Sequence, residues 1–476
     1  VSTPTRREWI QSAGLLAPFS ILAASKKKTD IRIEDVSISY EDYNYRVPIK
    51  FGGRVVDKAT ILNVNSVVRT ADGRVVKGFG SMPLSNTWAF PSKTMPYEVT
   101  LGSMRELATR ITGIMKGYKE FGHPIDIYLA LEPQFVKAAA EVSTALKMKE
   151  PIPKLGVLVT ASAFDATIHD AYGKAHKVNS YHTYGPEFMN YDLSHYVDAS
   201  YKGEYPSRYI QKEPKPKMPL YHLVSAVDPI FAADIPNRLN DGLPETLAEW
   251  IHYNGLTHLK IKLNGDDPKW DVERVINVDR ETTQVQRKRG VTHWVYSLDF
   301  NERCPSVEYL IQFLNDVKQK TPGGYARVQY VEQPTSRFLK EHPEQVMHAA
   351  GKLKPVVADE SMTDIESMFL SRKMGYTGVA LKACKGQSHS VILASVAEKN
   401  KMFLCVQDLT CPGASLIHSA GLSAHIPSVA GIEANARQYV PIANKGWDER
   451  FPGVFKVKDG NINTSGLNKP GLSAVA

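Results

Sequence analysis

The sequence predicts an α/β protein: a (β/α)₈-type barrel preceded by a smaller α+β domain. Three observations predict it. Eight short β-rich runs recur between residues 218 and 435, separated by helix-length segments. The first third reads differently, as strands followed by helices. Finally, no Gly-rich dinucleotide loop appears where an open doubly wound sheet would normally carry one.

The chain has 476 residues, 43% of them hydrophobic, which is enough for one large domain and a smaller one. Its net charge of +8 is concentrated at one end, because Arg6, Arg7, Lys26, Lys27 and Lys28 against Glu8 carry half of it. So mild an excess elsewhere, without interleaved basic and aromatic residues, argues against a nucleic-acid partner. Residues 1–28 hold the stretch "TRREWIQSAGLLAPFSILAAS", paired arginines ahead of a short apolar run. It resembles a twin-arginine export signal, so the expected location is periplasmic or exported. No apolar run is a comfortable membrane span. The four cysteines, Cys304, Cys384, Cys405 and Cys411, lack metal-type spacing and are expected in the core.

From residue 29 to 180 an α+β domain is expected. "IRIEDVSISYED" and "ATILNVNSVVRTADGRVVKGFG" alternate as strands do, with Asp72-Gly73 marking a hairpin. "MRELATRITGIMKGYKEF" and "SAFDATIHDAYGKAHK" then space their apolar residues three and four apart. Residues 181–217, rich in Tyr, Pro and charge without a period, read as a long surface loop and linker. The barrel follows over 218–435, its strands being "PLYHLVSAV", "THLKIKL", "HWVYSLDF", "VQYVEQP", "PVVADES", "GVALKAC", "MFLCVQD" and "SVAGIEA".

Barrel active sites lie at the C-terminal ends of the strands. Those ends carry Lys260 and Lys262, Asp299, Glu332, Asp359 with Glu360, Lys382, Gln407 with Asp408, and Glu433. Polar residues closing one apolar run after another are hard to ascribe to packing. Asp299, Glu332 and Asp359 end three consecutive strands, and three carboxylates in one place call for a cation. Oxygen donors alone favour a hard divalent ion, Mg²⁺ first and Mn²⁺ second, over zinc. Lys260 and Lys262 share one face of their strand. Two ammonium groups ~7 Å apart repel by roughly 2.4 kcal/mol at an effective dielectric of ~20. Crowding is therefore expected to lower a lysine's pKa until it can act as a base. A metal-bound carboxylate would let an α-proton leave as an enediolate.

"KIK", "DFN", "VEQP", "ADES" and "ALKACKG", in this order on successive strands, resemble the enolase superfamily, in particular its muconate lactonizing enzyme-like subgroup within the mandelate racemase/muconate lactonizing enzyme family. The resemblance runs from about residue 31 to 470 and implies a capping domain, a modified barrel, and a tail over 436–476 that returns to the cap. It implies Asp299, Glu332 and Asp359 as metal ligands, and Lys262 and Lys382 as acid/base residues on opposite faces. Lys260 would tune Lys262 and neutralise the substrate carboxylate, with Glu433 and Asp408 also binding substrate. Asn301 and Glu360 would support the ligands from behind. The loops "DYNYRVPIKFGGRVV" and "GFGSMPLSNTWAF" would close over the site. The seventh strand supplies no His, and "GIEANAR" lacks the D-x-D pattern of dipeptide epimerases; His389 and His418 read as helix residues.

The expected activity is therefore Mg²⁺-dependent removal of the α-proton of a small carboxylate substrate, with racemisation or epimerisation first. β-Elimination or cycloisomerisation of an acid sugar or related carboxylate is the alternative. A barrel glycosidase would leave the lysines unexplained, and a binding protein without catalysis would leave the whole array unexplained. A homo-oligomer is expected.

Overall fold

A computed structural model describes residues 27–474. The stretch read as an export signal lies outside the described residues. Among them, no helix is long and apolar enough to cross a membrane.

The N-terminal part is a three-stranded antiparallel sheet in the order β1 (Ile31–Phe51), β2 (Arg54–Thr70), β3 (Val75–Pro83). The β2–β3 hairpin turns at the expected Asp72-Gly73, where Gly73 has a φ of 90°. Three long helices follow: α1 (Tyr97–Gly117), α2 (Pro124–Ala145) and α3 (Lys154–Ala175). Helix α3 is buried along nearly its whole length, which explains its uniformly apolar and small-residue sequence. The sheet lies on it so closely that a Cβ on Gly80 would stand 2.0 Å from the Ala163 carbonyl oxygen, and one on Gly78 2.1 Å from that of Thr167. Only glycine permits that approach.

Eight parallel strands form the barrel: β4 (Lys217–Val224), β5 (His258–Lys262), β6 (Val295–Asp299), β7 (Val328–Glu332), β8 (Val356–Ala358), β9 (Gly378–Leu381), β10 (Phe403–Val406) and β11 (Val429–Glu433). Each pairs with the next, and β11 pairs with β4, so the cylinder closes. All eight coincide with the β-rich runs of the sequence. Helices such as α4 (Pro268–Arg289), α5 (Gln387–Lys399) and α6 (Gly413–His425) return the chain between strands. The tail adds β12 (Asn461–Asn463) antiparallel to the start of β4. It then reaches α3, where the Leu472 amide donates to Asp170.

Two expectations are corrected. The stretch 181–217 is not a surface loop throughout: it makes short helical turns and buries Tyr181, Tyr184, Met189, Leu193 and Ile210 in the main core. Turns of three or four residues have no period for a sequence reading to detect. The stretch "DYNYRVPIKFGGRVV" is likewise not a free loop. It is the far end of the β1–β2 hairpin, which turns at Gly52-Gly53 and is irregular in register between Asn44 and Ile49. All four cysteines are buried and unpaired.

Candidate active site at the barrel mouth

The backbone at the strand ends is unusual. Asn301, Glu302, Gln333 and Thr410 all have positive φ (44°, 68°, 27° and 58°), a region costly for side-chain-bearing residues. Asn301 and Glu302 lie just past β6, Gln333 follows β7 directly and Thr410 lies in the turn beyond β10, all around one cavity. That cavity is lined by Lys260, Lys262, Asn301, Glu332, Asp359, Lys382, Asp408 and Glu433 below, with cap residues above.

Lys260 is fully buried and is the centre of an ion cluster. Its Nζ lies 3.0 Å from Asp299 Oδ2, 2.9 Å from Glu332 Oε1 and 2.7 Å from Glu433 Oε2. Lys262 Nζ donates to Asp299 and, across 2.9 Å, to Asn301 Oδ1. On the other side of the barrel, Lys382 Nζ is 3.1 Å from Asp359 Oδ2 and 4.9 Å from the ring centre of Trp88. Strand pairing sets Asp299 opposite Glu332 in register, and Asp359 follows β8 at once.

The charges differ from the expectation for two of the three lysines. Burial pulls Lys260 down, but Asp299, Glu332 and Glu433 together hold its ammonium well above the ordinary range. Lys382 is likewise raised, since the pull of Asp359 outweighs burial. The sequence reading weighed the like charges of the lysines, whereas the attraction of the neighbouring acids prevails at both amines. Burial also pushes Asp299 and Asp359 up, yet the adjoining ammonium groups hold both below the usual carboxylate range. Glu332, between two other acids, is pushed well above it by burial and by Asp299. Burial and Asp359 push Glu360 up to about 7, and burial and Glu433 push Asp408 up to about 7.

The donor set suits a hard divalent cation. Four lysines, Lys260, Lys262, Lys382 and Lys385, face six acids, Asp299, Glu332, Asp359, Glu360, Asp408 and Glu433, so the buried cluster is short of two positive charges when all are ionised. Asp359 Oδ2 accepts no aligned hydrogen bond despite its closeness to Lys382. Each of the three proposed ligands is at present turned toward an ammonium. Accordingly, no three acidic, His or Cys side chains among the described residues form a metal cage as they stand.

Several contributors escaped the sequence reading. Lys385, three residues after Lys382 in the quoted "ALKACKG", lies 3.0 Å from Asp359 Oδ1. Gln407 was noted at its strand end without a role; its amide donates to Glu332 Oε2. Trp88 sits in the second cap segment, in the helical turn Asn86–Ala89. Arg337, held by Glu302 at 2.7 Å, reaches the Trp88 carbonyl oxygen at 3.3 Å and secures that turn to the barrel. Asp408 accepts from the amides of Thr410, Cys411 and Asn435, at 3.2, 3.2 and 3.3 Å. His389 pairs with Glu132 and lies, like His418, on a helix.

Comparison with known proteins agrees with this architecture. Residues 243–475 match the family model described as Enolase C-terminal domain-like, of the mandelate racemase and muconate lactonizing enzyme kind. Residues 243–475, which hold all but the first barrel strand, thus carry the enolase-type C-terminal domain that the motif order led one to expect. Among solved structures, the L-Ala-D/L-Glu epimerase from Bacillus subtilis in a substrate-liganded complex matches with 17% identity and a TM-score of 0.60, covering 94% of this chain and 99% of that one. Muconate lactonizing enzyme from Pseudomonas fluorescens, complexed with muconolactone, matches with 14% identity and a TM-score of 0.59, over 93% and 96%. An enolase from Bradyrhizobium, complexed with magnesium and mandelic acid, matches with 14% identity and a TM-score of 0.60, over 94% and 97%. At these identities the likeness establishes the fold. A search of curated proteins finds no match in sequence.

Proposed function

We propose that the protein removes the α-proton of a carboxylate substrate in a Mg²⁺-dependent reaction, and that racemisation or epimerisation is the net result. One observation carries this reading: Lys262 and Lys382 end the second and sixth barrel strands, on opposite sides of one cavity, with Glu332 and Asp359 between them. A carbon held there has an amine on each face. One lysine takes the proton while the other delivers one from the opposite side, inverting the centre. Asp299, Glu332 and Asp359 would hold the cation, which when bound supplies positive charge to the substrate carboxylate as negative charge develops. Lys260 adds a second, fixed positive charge at the same end. Glu433, with one oxygen on Lys260 and the other on the Asn435 amide, fixes the direction of that ammonium. Magnesium in the Bradyrhizobium structure, and in that of a dipeptide epimerase from Enterococcus faecalis, supports the choice of metal.

The decisive experiment incubates candidate acids with the Mg²⁺-loaded enzyme in D₂O. Deuterium in the α-position of both enantiomers is the expected outcome. Exchange confined to one enantiomer, without inversion, would replace the racemase with a one-base elimination or cycloisomerisation. The paired arginines Arg6 and Arg7 support export by the twin-arginine route, which fractionation of cells expressing the full chain would test.

A further inference from the structure

The floor of the cavity is ionic, whereas one side of its roof is apolar. The β1–β2 hairpin contributes Ile49, Phe51 and Val56, and the end of β4 contributes Leu223. Ile49 and Leu223 are buried in a small hydrophobic cluster of their own with Tyr439, against which Phe51 and Val56 pack. Polar side chains also border the roof, yet most already have partners within the protein. Thr60 Oγ1 donates to Asp42, and the Asn86 amide donates to the Tyr97 carbonyl and to Thr100 Oγ1 at 3.0 and 2.9 Å. Ser85 donates to the Leu409 carbonyl at 3.3 Å, and Lys58 is paired with Glu98. The groups with charge to spare are those around the lysines below.

We infer that the substrate is a carboxylate with a compact hydrocarbon substituent, aliphatic or aryl, that lies beneath Ile49, Phe51, Val56 and Leu223. The inference rests on the proposed α-proton chemistry and names the substrate class for it. An acid sugar would place several hydroxyls beneath Ile49, Phe51, Val56 and Leu223, whose side chains offer no hydrogen bond, and each would lose water without replacement. A hydrocarbon loses nothing there and leaves water altogether. Phe51 also lies with its ring centre 5.6 Å from Lys262 Nζ, so the substituent and the base share one wall.

The test uses three α-hydroxy acids that differ only beyond the α-carbon: phenyllactate, hydroxyisocaproate and gluconate. Their affinities for the Mg²⁺-loaded protein are measured by titration calorimetry, and α-deuterium uptake is followed in D₂O. The two hydrocarbon acids are expected to bind at least tenfold tighter than gluconate. Phe51→Ser should cut that preference to threefold or less. Val56→Ser, at a half-buried position, should narrow it too and guards against misfolding of the first variant. Equal or tighter binding of gluconate, no binding of the hydrocarbon acids, or an unchanged preference in both folded variants would overturn the inference. Selective binding of the hydrocarbon acids without any exchange would instead overturn the proton-transfer reading and leave the apolar subsite standing.

Discussion

Trp88 of the cap donates its indole Nε1–H to Glu360 Oε1 of the barrel across 3.0 Å. The same oxygen accepts from the Asn301 amide at 3.0 Å, and Asn301 Oδ1 accepts from Lys262. Since the Trp88 ring also faces Lys382, one continuous set of contacts joins the two opposed lysines through a cap residue. Trp88→Phe keeps an aromatic ring and removes the donor. It is expected to cost about 2 kcal/mol in urea unfolding, the usual loss for a buried hydrogen bond to a carboxyl group. α-Proton exchange should slow as well, whereas an unchanged rate would show that the indole serves packing only.

Lys262→Ala and Lys382→Ala should each abolish inversion while sparing exchange from one face of the substrate. The affected face is expected to lose roughly 10²- to 10⁴-fold in rate, the usual contribution of a positioned acid or base. Enantiomer-resolved deuterium exchange reads both effects at once. Equal loss from both faces in both variants would contradict a two-base arrangement.

Divalent metal should stabilise the folded protein, by about 2.7 kcal/mol at a hundredfold excess over its dissociation constant. Thermal melts with Mg²⁺ and with EDTA measure this. In Asp359→Asn the difference between the two melts should shrink sharply, because one of the proposed ligands loses its charge. An undiminished difference would place the ion elsewhere.

Acid should weaken the fold through its buried histidines. Burial pushes His258, His418 and His425 down to about 4, whereas unfolded imidazoles titrate near ~6.5. Between those values the unfolded chain binds more protons, so the stabilisation is complete above about pH 6.5 and is lost as pH falls toward 4. Each group contributes on the order of 3 kcal/mol. Among the described residues, neither buried ring nitrogen of His418 has a partner. Urea midpoints between pH 7 and pH 4 should therefore fall less steeply in His418→Leu than in the wild type.

Gly80→Ala should destabilise the cap by roughly 2 kcal/mol or more, because its Cβ would overlap the Ala163 carbonyl oxygen and neither backbone can yield cheaply. A melt within a degree of the wild type would mean that sheet and helix part more easily than their packing suggests.

The barrel was legible because its strands are short apolar runs, and all but the first end in or just before a charged residue that contradicts the run before it. "LKIKL" and "VQYVEQP" announce both strand and function in this way. The hairpin roof was harder to read. The segment "EDYNYR" is half exposed and polar, so it lacks the alternation that marks a strand, and only its pairing with β2 makes it one. The lysine pKa shifts were out of reach for a different reason. Glu433 is 173 residues from Lys260 in sequence, yet their charged atoms lie 2.7 Å apart. Lys385 was visible in its motif, but its aim at Asp359 depends on the short turn after β9, which no periodicity encodes.

The hairpin bearing Phe51 and Val56 shares no hydrogen-bonded strand with the cylinder that bears the lysines. Drift in one can therefore proceed while selection holds the other constant. A lineage meeting a new nutrient could reshape the ceiling by point mutation and inherit its reaction intact.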